Sequence, residues 1–336
     1  MSGLAARALG RSGLEVTRLG VGLAALGRPA YITLGRAADL GAARAPEAMY
    51  ERAAAVLDAA RTAGVRYVDT ARSYGRAEEF LGRWLRERSV APGTLTVGSK
   101  WGYRYTGEWT MDAAVHEQKE LTADRFAMQV VQSRGWLGDA LGLYQIHSAT
   151  IESGCLDDAT LLWSLAEGRR AGLYRAVGLT LSGSRSAETL ARALDVEVDG
   201  AALFDAVQAT FNVLEPSLAA GLAAAHARGL GVLVKEGFAN GRLTDGNDRP
   251  ADAARLRRLR AVAGDVDLSL DQLAVAFVLA HPFVDVLVSG AATPAQLGSN
   301  VQAAQATLPA PVLGRLAEES EAPATYWATR AALPWH

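Results

Sequence analysis

Val65-Arg66-Tyr67-Val68-Asp69-Thr70-Ala71-Arg72-Ser73-Tyr74-Gly75 begins as a short apolar run, residues 65–69, that reads as a buried strand. The strand ends on an acid, and a tyrosine follows five residues later on the loop. Two later strand-like runs end in the same manner: residues 94–97 lead to Lys100, and residues 141–146 lead to His147. Asp, Tyr, Lys and His can all hold or move a proton. Taken singly, Asp69 can cap a helix, Tyr74 can line a loop and His147 can be a satisfied core histidine. Four such groups at the ends of three successive strands point instead to a reaction centre.

Working outward, strands alternate with helices. Strands are expected at 95–99, 141–147, 174–180, 204–211, 231–235 and 284–289, and helices near 78–88, 122–137, 157–171, 184–194, 216–228 and 269–280. Thr293-Pro294 reads as an N-cap followed by Pro at the first helical position. This makes seven clear βα units and a weak eighth near 301–306. The spacing predicts an α/β fold, a closed (β/α)8 TIM barrel, as a single domain over residues 1–336. In such barrels the chemistry sits on the loops after the strands, so Asp69, Lys100, His147, Gln208 and Lys235 all belong to one face. Residues 8–16 read as an N-terminal β-hairpin plug for the opposite end. Residues 101–120, polar and aromatic, form a candidate substrate loop, with Trp101 and Trp109 expected to line an apolar pocket. Tyr326-Trp327 and Trp335-His336 either fold over the barrel mouth, pack as a tail or make a dimer contact.

Composition narrows the class. Half the residues are hydrophobic but only 7% are aromatic, so the core is aliphatic. No apolar run is long enough to span a bilayer, and the first residues lack a signal-peptide pattern. Cys155 is the sole cysteine, which fits a reducing cytoplasm. A net charge of -2 argues against a nucleic-acid partner. The Arg255 to Arg260 segment reads as a solvated helix face. No metal site is expected: His116-Glu117-Gln118-Lys119 lacks the second histidine of a zinc-protease helix and reads as a polar helix start. Among 34 basic residues, only Lys100, Lys119 and Lys235 are lysines. Arginine stays charged in proteins, whereas a lysine's pKa moves on burial, so a lysine at a strand end attracts notice.

Several motifs resemble the aldo-keto reductase family: LGRSGLEVTRLGVG at 9–22, YVDTARSYGRAEEFLG at 67–82, SK at 99–100, LYQIH at 143–147, AVGLT at 176–180, VQATFN at 207–212 and SGAATPAQLGSN at 289–300. The resemblance implies a catalytic Asp69, Tyr74, Lys100 and His147. It also implies an extended nicotinamide dinucleotide, expected as NADP with NAD the alternative. Gln208 would then bind the nicotinamide carboxamide, with Gly290, Gln296 and Asn300 near the adenosine. Gly22, Asp69, Thr180 and Lys235 complete the expected cofactor contacts. Where the family has Ser-Asn after AVGL-type strands, this chain has Thr180-Leu181, with Ser182 next in line. Where it has a nicotinamide-stacking Tyr-Ser-Pro-Leu, this chain has Lys235-Glu236-Gly237-Phe238.

The chemistry follows from the residues. A carbonyl that accepts hydride gains negative charge on oxygen, and an acid must protonate it. Free tyrosine, with a pKa of about 10, is too weak unless tuned, and a cationic Lys100 held by Asp69 would lower it. His147 would donate a hydrogen bond to the substrate oxygen. The expected activity is therefore NAD(P)-dependent interconversion of a carbonyl (aldehyde, ketone or sugar) and its alcohol. Alternatives are a nicotinamide-binding regulatory protein with little turnover, or a Schiff-base lyase using Lys235.

Overall fold

The computed structural model describes residues 4–35, 39, 41 and 43–335. Residues 1–3, 36–38, 40, 42 and 336 lie outside the described residues, and with them the expected contact of His336. An antiparallel hairpin, β1 (Ala6–Ala8) and β2 (Glu15–Thr17), precedes the barrel. The barrel itself is β3 (Leu19–Gly22), β4 (Tyr67–Asp69) and β5 (Thr96–Trp101), then β8, β9, β12, β13 and β14. Between β5 and β8 lies a short antiparallel ribbon, β6 (Tyr103–Tyr105) and β7 (Glu117–Lys119). The later barrel strands are β8 (Leu141–Ala149), β9 (Ala176–Leu181), β12 (Ala206–Thr210), β13 (Gly231–Lys235) and β14 (Val286–Ser289). A second small ribbon, β10 (Glu197–Val198) with β11 (Ala201–Ala202), sits outside the barrel. All barrel pairings are parallel, and β14 pairs with β3 to close the ring.

The eighth strand is thus Leu19–Gly22, not residues 301–306, which fall at the end of the helix Pro294–Ala303 and the turn after it. Leu-Gly-Val-Gly is glycine-rich and reads poorly as a strand from local propensity. Its glycines serve the closure: a Cβ on Gly20 would lie 2.7 Å from the Tyr67 ring and 3.0 Å from Val286. His116 to Lys119 likewise do not start a helix, because residues 117–119 pair as a strand with β6. Thr293 caps its helix as expected, accepting from Gln296 N at 3.2 Å. Arg255 and Arg258 do not simply face water; they pair with Glu319 and Glu321 of the C-terminal segment.

Strand period 2 sorts side chains between the barrel interior and the helices. The lower interior holds Tyr67, Leu143, Ala176, Ala206, Leu233 and Val286, and the hairpin plugs it with Leu9, Leu14 and Val16. Each of these leucines and valines, fully buried, contributes roughly 1.5–3 kcal/mol. Nearer the C-terminal ends of the strands lie Asp69, Lys100, Gln208, Lys235 and, two steps above Leu143, His147. Apolar filling below and polar groups above make one end of the barrel reactive.

Candidate active site

Asp69 and Lys100 lie on neighbouring strands and form a salt bridge with both side chains almost wholly buried. Lys100 Nζ also donates to Thr70 O at 2.9 Å. The other Asp69 oxygen accepts from Gln208 Nε2 at 2.9 Å and from the Tyr67 hydroxyl at 3.1 Å. The carboxylate is therefore saturated with donors, as a buried charge must be. Lys100 Nζ lies 4.9 Å from the centre of the Tyr74 ring. The Tyr74 and His147 rings meet edge to face, centroids 5.5 Å apart, and Ser73 Oγ is 3.4 Å from His147 Nδ1. The structure brings the four groups together.

Burial, then the Asp69 carboxylate, push the Tyr74 phenol well above its ordinary pKa. The lowering expected from Lys100 does not prevail: burial, Asp69 and Glu117 together outweigh the opposing cation, Arg28. Burial, then the nearby Lys100, Arg28 and Lys235 cations, hold His147 well below its ordinary value. The site therefore presents a protonated phenol beside a neutral imidazole. That combination can donate hydrogen bonds and one proton to an oxygen gaining negative charge.

Above these groups opens a cavity of about 680 Å³, within the range of a ligand site. Gly22, Asp69, Tyr74, His147, Gln208, Lys235, Gly290, Gln296 and Asn300 all line it. Thr180 does not: it is fully buried, and its Oγ1 accepts from Ser148 N at 2.7 Å, bracing the loop after His147. Ser182 reaches the cavity instead. Trp101 points the wrong way. It alternates with Lys100 on β5, so its ring turns outward and packs on Phe126, centroids 5.2 Å apart. Trp109 is also displaced, its Nε1 donating to Arg44 O at 2.7 Å and its ring facing Phe80. The aromatic walls are Tyr31, Tyr103, Phe238 and Trp335. The C-terminal tail does fold over the mouth, Trp335 stacking on His116 at 4.4 Å. Arg28, Glu117 and Arg330 also line the cavity, and sequence reasoning missed them. Arg28 is one arginine among many, and Arg330 meets Glu236 only through the fold.

The profile of the Aldo/keto reductase family matches residues 32–321. The chain belongs to the aldo/keto reductase family. It is an oxidoreductase by that membership. Among relatives, D-threo-aldose 1-dehydrogenase of a Pseudomonas species is 26% identical, the match covering 80% of this chain and 88% of the relative. Pyridoxal 4-dehydrogenase of Microbacterium luteolum is 27% identical, covering 88% and 91%. An aldo-keto reductase of Bacillus halodurans, solved in its holo form, shares the fold with a TM-score of 0.72 at 22% identity, covering 95% of this chain and 97% of that one.

The cavity of this aldo/keto reductase is lined by Asp69, Tyr74 and His147, by the small residues Gly22, Ala24 and Ala25, and by Gly290, Ala291 and Ala292 before the helix Pro294–Ala303, a lining with room where an extended dinucleotide would be held. Free N–H groups at a helix N-terminus suit a phosphate. Gln296 and Asn300 are partly committed: Gln296 Oε1 accepts from Ala292 N at 2.8 Å, and Asn300 Nδ2 donates to Ser289 Oγ at 2.8 Å.

Proposed function

We propose that this protein interconverts a small carbonyl or sugar-like compound and its alcohol with a nicotinamide dinucleotide, Tyr74 acting as the general acid and base. The observation that carries the reading is the Asp69–Lys100 pair sealed beneath Tyr74 and His147 at the mouth of the cavity. The bound dinucleotide supplies or accepts the hydride. Gly22, Gln208 and Lys235 would hold its reactive end, and Gly290, Gln296 and Asn300 its adenosine end, with Thr180 acting through Ser148.

In carbonyl reduction, neutral His147 donates a hydrogen bond that orients the substrate oxygen, and Tyr74 delivers the proton as charge develops. Lys100, fixed by Asp69, stabilises the phenolate that remains. Positioned acid–base groups of this type contribute about 10²–10⁴ in rate. Tyr31, Tyr103 and Trp335 offer apolar ring faces, while Arg28, Glu117, Lys235 and Glu236 offer polar contacts. That mixture suits the aldose and pyridoxal substrates in the relatives' names. The expected result for Tyr74→Phe is loss of turnover with cofactor affinity nearly intact. Full activity in that variant would remove Tyr74 from its role.

A further inference from the structure

Lys235 ends β13 inside the same cavity as Tyr74 and His147. Its neighbours treat it differently from the other cations in and beneath that cavity, Arg28, Arg330 and the underlying Lys100. Lys100 has Asp69 in direct contact. Arg28 has Glu117 at 2.7 Å. Arg330 grips Glu236 Oε1 with two donors, at 2.6 and 2.9 Å. Glu236 Oε2 takes the Thr210 hydroxyl at 2.8 Å and remains 3.9 Å from Lys235. Lys235 Nζ donates instead to the neutral Thr210 Oγ1 at 2.9 Å. Of these four described cations, Lys235 is the one whose hydrogen-bonded partner carries no charge.

Its field reaches the reaction centre. The Lys235 charge is among the influences that keep His147 neutral, and Lys235 in turn feels Lys100 and Asp69. A ring that exchanges hydride with a carbon held by Tyr74 and His147 must lie in this field. The oxidised nicotinamide ring carries a unit positive charge; the reduced ring is neutral.

We propose that Lys235 makes the cavity discriminate between the redox forms of its nicotinamide cofactor by charge, favouring the neutral reduced form and so drawing the bound equilibrium toward alcohol oxidation. The proposal rests on the cofactor reading above. In that direction the substrate carbon gives up a hydride to the ring, its hydroxyl gives a proton to the Tyr74 phenolate, and the ring's positive charge disappears. A neighbouring cation favours that outcome by Coulomb's law.

Burial brings the Lys235 ammonium down to about 8. Burial works against the Glu236 charge, but Arg330 and Lys235 hold that carboxyl at about 2. Lys235 is therefore charged at neutral pH and loses its charge in mildly alkaline solution, while Glu236 stays ionised and Arg330, in which burial is outweighed by the Glu236 charge, stays charged; Asp69 and Lys100 face it as an ion pair.

The test is calorimetric titration of the whole protein with NAD⁺ and NADH, and with the NADP pair in parallel, at pH 7 and pH 9.5. At pH 7 the reduced form is expected to bind more tightly, and Lys235→Met to shift the ratio of the two Kd values roughly tenfold toward the oxidised form. Lys235→Arg, which keeps the charge, should hold the ratio near that of the parent. In the unaltered protein the preference should collapse at pH 9.5, which tests the idea even if Lys235→Met fails to fold. A ratio unchanged by both Lys235→Met and pH overturns the proposal. Binding of neither form overturns the cofactor reading and this inference with it.

Discussion

Lys100 and Asp69 face each other on adjacent barrel strands with side chains 1% and 5% exposed, and the carboxylate's other oxygen is taken by Gln208 and Tyr67. Neither charge has water to fall back on. Removing one partner strands the other in a low-dielectric interior, at a cost of roughly 3–5 kcal/mol. Lys100→Met and Asp69→Asn should each lower the thermal midpoint and the activity. The double variant should regain much of the stability but none of the activity. Thermal melts read as a double-mutant cycle check this, and additive losses would show that the pair is not coupled.

The pH profiles should differ by direction. Tyr74 has a raised pKa, so its acid form persists well above neutrality; His147 has a lowered pKa, so its neutral form persists below its ordinary 6.5. Carbonyl reduction should therefore be nearly flat from about pH 6 to 8. Alcohol oxidation, which needs the phenolate, should climb with pH across the same range. Initial rates in both directions, at saturating cofactor, decide the matter.

Gly98→Ala should disturb the site from below. A Cβ there would lie 2.0 Å from the Tyr67 hydroxyl, and that hydroxyl donates to Asp69. Overpacking of this kind costs about 1–3 kcal/mol. Stability and kcat should fall together, and adding Tyr67→Phe should restore part of the stability by removing the clashing oxygen. A Gly98→Ala protein with the parent's melting point would contradict this packing.

The adenosine end bears on cofactor choice. Gly290, Ala291, Ala292, Gln296 and Asn300 line it without a cation among the described residues, and Asp271 lines the same cavity, accepting from Ser299 at 3.2 Å. Among the described residues a 2′-phosphate would meet a carboxylate and no basic side chain there, whereas a 2′-hydroxyl suits an acid. NADH should bind more tightly than NADPH by roughly tenfold or more, about 1.4 kcal/mol, and Asp271→Asn should narrow the gap. Fluorescence titration with both reduced forms measures it.

The sequence alone determined the alternation of strands and helices, the barrel and the four proton-handling groups. Asp69, Lys100 and His147 lie at or near the ends of runs whose local pattern is strong, and Tyr74 follows on the loop after Asp69. Closure of the barrel through Leu19–Gly22 was not legible, because Gly20 is explained only by the Tyr67 ring beside it. The inward turn of Lys100 and the outward turn of Trp101 depended on the strand's register, which pairing sets and composition does not. Arg28, Glu117, Arg330 and Trp335 reach the cavity from segments far apart along the chain. Tertiary structure also decided the electrostatics: a charge's neighbours in space set its protonation, and Lys235, Glu236 and Arg330 become one cluster only when the C-terminal helix Pro323–Ala331 docks beside β13.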